Sequence, residues 1–548
     1  MVVGGLTLAS LAVLFCPSIP LGIPGEWTWA RRGFDGLDVP SCLLGLLLCA
    51  GYGGAVRWGE MSIRGRRQGR SLDPQVLTAL TGKSPPLDLV RTWGSRLRSD
   101  LRLAGLGLLA FAWLLGLLCL QPDVQGLGRS PSVLFYKRTE GYFWQAAFDV
   151  QDTQQFLAGY RDSIATGDNP DRYLHLGTHP PGLTLMYRGL LSLFERSPRL
   201  AEEVISLEPN SIQAAFEIQR RFPTPQGMLT LAEEATLWTA TLLTLLATAG
   251  ACWPIYRLTA RMSDAVTAWR AAALWPLVPS LLVFFPKSDL LCPVIATMSC
   301  WLWLDGWSRL RWGRCVMAGV GFFGGLMLTL ALAPIALLLV VQTMLERWMR
   351  REEFQTRTAV SDVGCVLAAI AGFGIPLRAL AYGGQCNPFA IWLQNLENHG
   401  MFYDHNTRSY LSWLMVNPLE AAFALGLPIA SLCLMGAVGS IRGDRSRPIA
   451  ISQFLAWSGV WAFLWLSGKN MGEAARLWIF LAPWPVMTAA LGLSPKCLAT
   501  ADSSSLSDEF PSPDRSRVWA VLLALQLLAC VWTMTCIDGF HIAELLPP

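Results

Sequence analysis

The chain has 548 residues, 53% hydrophobic and 15% charged, with a formal net charge of +4 and a mean hydropathy of +0.39. Soluble domains carry roughly 25% charged residues, so this composition excludes a water-exposed globule, and so small a charge points to no nucleic-acid partner. The 14 cysteines are scattered, many inside apolar blocks (Cys300, Cys315, Cys433), and no Cys-x-x-Cys pair exists, so neither a zinc site nor a disulfide framework is indicated.

Apolar blocks of about 20 residues, the length that crosses a bilayer, recur along the chain. They begin near Gly4, Pro40, Leu103, Thr236, Arg270, Leu290, Cys315, Ala331, Thr358, Leu419, Ile449, Leu477 and Trp519. The expectation is an all-α polytopic membrane protein with about 13 spans. The 24 tryptophans suit the headgroup level. No Lys or Arg precedes the first apolar run, so it reads as a retained helix and not as a cleaved signal. The stretch from Cys315 is either two short helices or one bent helix. Pro334 interrupts it, and Gly321 and Gly325 offer a close-packing face.

Basic residues orient the chain. Arg57 to Arg102 holds ten Lys/Arg against four Asp/Glu, and Arg309, Arg311, Arg314, Arg347, Arg350, Arg351, Arg442, Arg445 and Arg447 fall on the same side if Cys315–Leu345 is two helices. The positive-inside rule assigns that side to the cytosol. The basic stretch reads as facing anionic membrane lipid. The N-terminus is then cytosolic and the C-terminus outside. Four regions follow: 1–102, two N-terminal helices and the basic loop; 103–234, one helix and a long extracytoplasmic loop with interfacial helices; 235–495, the helical core with external loops 382–418 and 467–476; and 496–548, a Ser/Asp-rich cytosolic linker and the last helix.

The external side receives the ionisable clusters. All five histidines (His175, His179, His399, His405, His541) fall there, and histidine exchanges protons near neutral pH. In Tyr142 to Tyr160, read as a helix, Asp149 and Asp152 share a face at i,i+3. Two carboxylates there suit a general base with its orienting partner, or a helix's first turn. Next comes Thr178-His179-Pro180-Pro181-Gly182, where Pro-Pro fixes extended backbone before a helix. Asn395 to Tyr410 mixes aromatics with Asp404, His405 and Arg408, and Glu473 and Arg476 sit at i,i+3 where a helix re-enters the membrane. Either they form a local ion pair, or Arg408, Lys469 and Arg476 grip a phosphate, for which arginine gives bidentate geometry.

This order of parts resembles the GT-C superfamily of membrane glycosyltransferases, which includes the protein O-mannosyltransferases and the lipid A aminoarabinose transferases. The resemblance covers about residues 103–495. It is carried by Asp149 to Asp152, Phe156-Leu157, Tyr160, Thr178 to Gly182, Phe285-Pro286-Lys287-Ser288-Asp289 and the Gly-rich Gly319 to Pro334. Many members show adjacent Asp-Glu where this chain has Asp-Val-Gln-Asp.

The resemblance implies transfer of a sugar from a polyprenyl-phosphate donor to a glycan, lipid or protein acceptor at the extracytoplasmic face of a bacterial-type inner membrane, with inversion. It implies Asp149 as base, with Asp152 second. Arg408, Lys469 and Arg476 would sit on the phosphate, beside Glu473 and assisted by His179 and His405. A divalent cation is left open as cofactor, with no ligand set visible. The competing reading is a transporter or lipid flippase, favoured most by Arg378 near the end of its apolar block. An O-antigen-type polymerase or ligase would place its arginines in a large late external loop, whereas here the largest loop comes early.

Overall fold

The computed structural model describes residues 2–32, 39–68, 87–121, 125–165, 176–221, 224, 227–355, 358–442, 448–494 and 515–539. His175, His541, Arg445, Arg447 and the 501–514 linker lie outside the described residues, as does the side chain of His405.

Among the described residues, nine helices are long and apolar enough to cross a bilayer: Val39–Gly65, Ser99–Cys119, Leu231–Met262, Ala265–Val283, Ser288–Ser308, Leu330–Met349, Ala359–Gly383, Pro448–Leu466 and Ser516–Cys536. A further pair, Tyr410–Leu425 and Leu427–Ser440, bends by 108° at Gly426, and three shorter apolar helices complete the set: Val2–Phe15, Trp312–Leu328 and Ile479–Gly492. Each apolar block of the sequence is therefore helical, although not each is long enough to span. The stretch from Cys315 is two helices, Trp312–Leu328 and Pro334–Met349, separated where Thr329 turns extended. Described strands are short: Gly22–Ile23 pairs with Trp27–Thr28, and Ala30–Arg31 with Ile537–Asp538.

Local chemistry explains these helices. In lipid, every polar group needs an internal partner. Along Leu231–Gly250 the hydroxyls of Thr236, Thr241, Thr244 and Thr248 donate to the carbonyl four residues earlier, at 2.7–3.0 Å. Its start is a capping box in which Thr230 and Glu233 satisfy each other's amides at 2.7 and 3.3 Å. Asp264 caps the next helix by accepting from Val266 and Thr267, each at 2.9 Å.

Small residues set the helix spacing, as expected where lipid gives no hydrophobic drive between helices. A Cβ on Gly319 would overlap the Ala369 carbonyl, and one on Gly372 would overlap the Val316 carbonyl, so the two helices touch backbone to backbone. Gly436 meets Thr488 in the same way. Gly321 and Gly325 face Ser299 and Ile295 of the Cys292–Ser308 helix.

Ion pairs sort to two ends. One end holds Glu60 with Arg64 and Arg270, Asp100 with Arg257, Asp305 with Arg314, Glu346 with Arg261, and Asp362 with Arg347. The other end, assigned from sequence to the extracytoplasmic side and here called the outer end, holds Asp538 with Arg32 and Arg129, and Asp289 and Glu473 with Arg476. Tyr410–Leu425 lies against outer-end turns along its length. Tyr410 bonds the Leu466 carbonyl at 2.8 Å, Asn417 the Asn470 carbonyl at 2.7 Å, and Glu420 the Ala475 amide at 3.1 Å.

Gly319→Ala should cost roughly 1–3 kcal/mol by overpacking, seen as a lower melting temperature in detergent. Gly54→Ala, with nothing within 4 Å of its added Cβ, should leave that temperature unchanged.

Candidate functional site

The centre of the outer end is a set of buried and half-buried charges with their polar neighbours, supplied by four segments together with Arg408 from the stretch just before the Tyr410–Leu425 helix. The first is the turn Gly468 to Trp478. It owes its shape to positive φ at Gly468 (65°), Gly472 (84°) and Glu473 (55°). The Cβ of any other residue at 472 would overlap Arg408 Nη1. Glu473, in left-handed backbone that costs a non-glycine residue of order 1–3 kcal/mol, sits between two guanidinium groups. Its Oε2 is 2.8 Å from Arg476 Nη2 and its Oε1 3.7 Å from Arg408 Nη2. Arg408 also donates to the Met471 carbonyl and is flanked by the rings of Phe402 and Trp413 at 5.7 and 5.8 Å.

The second segment is Phe285 to Asp289, the outer-end turn before the Cys292–Ser308 helix. Asp289 Oδ2 lies 3.4 Å from Arg476 Nε. Arg129 fixes this turn by donating to the carbonyls of Phe285, Leu282 and Val283 at 2.7, 2.8 and 2.9 Å. Lys287, which is buried, donates to the Thr139 carbonyl.

The third segment brings Glu140 and Tyr142. Glu140 is 2% exposed, and its Oε1 accepts from the Ser288 amide at 2.6 Å. Burial pushes its carboxyl above the usual range, against the pull of the Lys287 ammonium. Burial, then Arg476, hold Lys287 below its usual value. Burial also opposes the charge on Arg476, but Glu473 and Asp289 outweigh it. The Tyr142 phenol is pushed up by burial and then by Glu140 and Asp289, which places it among the same charges.

The fourth segment is the Thr178 to Gly182 motif. The Leu176–Thr178 turn is clamped by buried Asn395 and Asn398, each donating to the Gly177 carbonyl at 2.8 Å. The His179 carbonyl accepts from Tyr160 at 2.9 Å, and its ring meets Tyr142 edge-on at 5.7 Å. Gly182 opens the Gly182–Arg196 helix, where a Cβ would overlap the Met327 carbonyl.

Among the described residues, Glu140 Oε2 and Arg408 Nε in this centre are buried without a hydrogen-bond partner, and Arg476 Nε faces the Asp289 carboxylate in an ion pair at 3.4 Å. Buried polar groups are nearly always paired, so each such atom calls for an explanation. The arrangement offers two guanidinium donors to an anion and one carboxylate oxygen to a proton.

The site residues expected from sequence divide. Arg408, Glu473 and Arg476 come together, and His179 joins them through Tyr142. The Lys469 side chain is exposed, while its carbonyl accepts from Tyr403 at 2.7 Å and its amide donates to Ser467 Oγ at 3.3 Å. Asp149 and Asp152 do not share a helix face. The Gln145–Asp149 turn ends at Val150, which is extended, and a new helix starts at Thr153. Both are exposed, and Asp152 Oδ1 accepts from the Gln155 amide at 2.7 Å as that helix's cap. Sequence reasoning missed Glu140. The Lys287 to Asp289 turn carries the resemblance in the sequence, but its charges are not legible there as part of the site. Among the described residues no three His, Cys, Asp or Glu side chains converge as a metal set. A cavity of about 420 Å³, lined by Trp58, Gly59, Arg102 and Trp269 among others, lies near the opposite end and takes no part in this centre.

These features define a polytopic helical membrane protein with a buried acid–base and cationic centre at one end. No protein-family model matches the chain, and no curated protein matches it. Solved structures do resemble it. The oligosaccharyltransferase AglB from Archaeoglobus fulgidus, in complex with an inhibitory peptide and a dolichol-phosphate, is 12% identical, with a TM-score of 0.39 over 79% of this chain and 56% of that one. The same organism's oligosaccharyltransferase with Zn and sulfate is 12% identical, with a TM-score of 0.41 over 76% and 53%. The form tethered to an acceptor peptide containing the NVT sequon is 13% identical, with a TM-score of 0.39 over 77% and 55%. The chain thus spans little more than half the length of these proteins, and likeness at this level assigns no residue and no activity.

As a helix cap, Asp152 should cost about 1 kcal/mol when replaced by Ala and little when replaced by Asn, which caps as well. Melting temperatures of the two variants check this. Equal losses of activity without any change in melting temperature would return Asp152 to the site.

Proposed function

We propose that this protein is a membrane glycosyltransferase that takes a sugar from a polyprenyl-phosphate donor and passes it to a hydroxyl-bearing acceptor at the outer face. The observation that supports this reading is one outer-end centre in which Arg408 Nε and Glu140 Oε2 are buried without a hydrogen-bond partner among the described residues, beside Arg476 held by Glu473 and Asp289. Arginine presents donors in a geometry that fits phosphate. A carboxylate whose proton affinity is raised by burial serves as general base near neutral pH.

The steps follow from these groups. The acceptor hydroxyl gives its proton to a carboxylate as its oxygen attacks the anomeric carbon. The bond from that carbon to the phosphate oxygen breaks, and the electron pair stays on the phosphate. Arg408 and Arg476 receive the growing negative charge, already oriented by Glu473 and Asp289, so little reorganisation is needed. A single displacement inverts the anomeric centre. Glu140 is the carboxylate we assign as base in place of Asp149, because it is buried beside Lys287 and the Arg476–Asp289 pair, whereas Asp149 is exposed. Tyr142 lies within the electrostatic reach of Glu140, and His179 meets Tyr142 edge-on.

The transporter reading loses its main support. Arg378 is exposed near the end of the Ala359–Gly383 helix and stacks on Tyr382 at 5.1 Å, which fits a side chain reaching toward the headgroups.

In membranes supplied with a polyprenyl-phosphate sugar, Glu140→Gln should reduce transfer by about 100-fold or more, within the range general bases supply, while Asp149→Asn should keep most of it. The reverse pattern would restore Asp149 as base. The base works only when ionised, and burial raises the Glu140 pKa, so activity should rise with pH through a limb above the usual carboxylate range. Removing the ammonium in Lys287→Met removes a charge that lowers that pKa, so the limb should move further up. A limb that stays in place would show that Glu140 does not set it.

A further inference from the structure

We propose that Glu420 is a positioning residue for Arg476, itself set in place by Trp29 of the N-terminal segment. The inference rests on the reading of Arg476 as a phosphate-binding group. Its starting point is a deficit. The helix Ala474–Leu477 is four residues long, and its preceding residue, Glu473, makes no side-chain cap. The first amides of a helix need acceptors from elsewhere. Glu420 supplies them from the Tyr410–Leu425 helix: Oε2 accepts from Ala474 N at 3.2 Å and Oε1 from Ala475 N at 3.1 Å. The Trp29 indole N–H donates to the same Oε1 at 3.2 Å. A buried carboxylate thus takes three N–H donors and, among the described residues, no cation.

One turn earlier, Asn417 holds the other half of the same turn. Its amide donates to the Asn470 carbonyl at 2.7 Å, and its oxygen accepts from Gly472 N at 3.3 Å. The two side chains therefore grip the turn on either side of the strained Glu473, whose carboxylate orients Arg476.

Trp29 is fixed in turn. Glu26, three residues before it, accepts from Ser409 N at 3.0 Å, Ser409 Oγ at 2.7 Å and Trp413 Nε1 at 2.6 Å, at the start of the helix that bears Glu420. Just after Trp29, Ala30–Arg31 pairs with Ile537–Asp538. The segment after the first helix lies outside residues 103–495, yet through Glu420 it is linked to the turn that carries Arg476. A glutamine at 420 keeps one acceptor but turns an N–H₂ group toward one of the three donors. An alanine leaves both helix amides without an acceptor. A phenylalanine at 29 keeps a smaller aromatic ring and removes the N–H.

The test uses the full chain in nanodiscs and farnesyl phosphate as probe, with affinity and melting temperature read on the same samples. Arg476→Gln reports whether the site binds phosphate at all, and should abolish binding. Glu420→Gln and Glu420→Ala should then weaken affinity about tenfold or more, as small displacements of positioning groups do, and Trp29→Phe should weaken it two- to fivefold. Glu420→Gln and Trp29→Phe should stay within a few degrees of the wild-type melting temperature. Wild-type affinity in Glu420→Gln, with binding lost in Arg476→Gln, would overturn the positioning role alone. A melting temperature that falls while the folded fraction keeps its affinity would do the same. Wild-type affinity in Arg476→Gln would overturn the phosphate reading and this inference with it.

Discussion

The pairing of Arg476 with Glu473 and Asp289 is the interaction on which the outer end depends. Burying a lone guanidinium is expensive, and a buried ion pair holds only if each partner stays in place. Arg476 therefore binds the Gly468 to Trp478 turn to the Phe285 to Asp289 turn. Through Ser288 it reaches Glu140, and through Glu473 it reaches Arg408. Removing any one charge leaves another uncompensated. In such a centre the ion pairs fix one another's geometry, and Arg408 Nε is left buried without a hydrogen-bond partner among the described residues.

The architecture was legible because a bilayer leaves few options. Apolar blocks must become helices, and basic loops must gather on one side. Local rules also worked where the chain obeys them. Glu473 and Arg476, three apart, do pair, and the break before Pro334 does separate two helices. The glycine of the Thr178 to Gly182 motif has a reason the sequence could not state: it lets one helix start touch the Met327 carbonyl.

The centre itself was only half legible. Glu140 follows Lys137, Arg138 and Thr139, a run that reads as a solvated face, and nothing local announces that Glu140 is buried beneath Ser288. Burial of a charge depends on partners distant in sequence, here about 150 residues away. Asp149 and Asp152 misled for the opposite reason. Their spacing is right for one helix face, but the backbone turns extended between them and spends Asp152 on a cap. Glu420 shows the same limit, since its partners Trp29 and Ala475 are 391 and 55 positions away.

The most direct measurement is an experimental structure of the protein in nanodiscs with a non-hydrolysable polyprenyl-phosphate sugar. The account predicts the phosphate within hydrogen-bond distance of Arg408 and Arg476, and the anomeric carbon facing Glu140. A phosphate bound elsewhere, with both arginines still closed on Glu473 and Asp289, would contradict it.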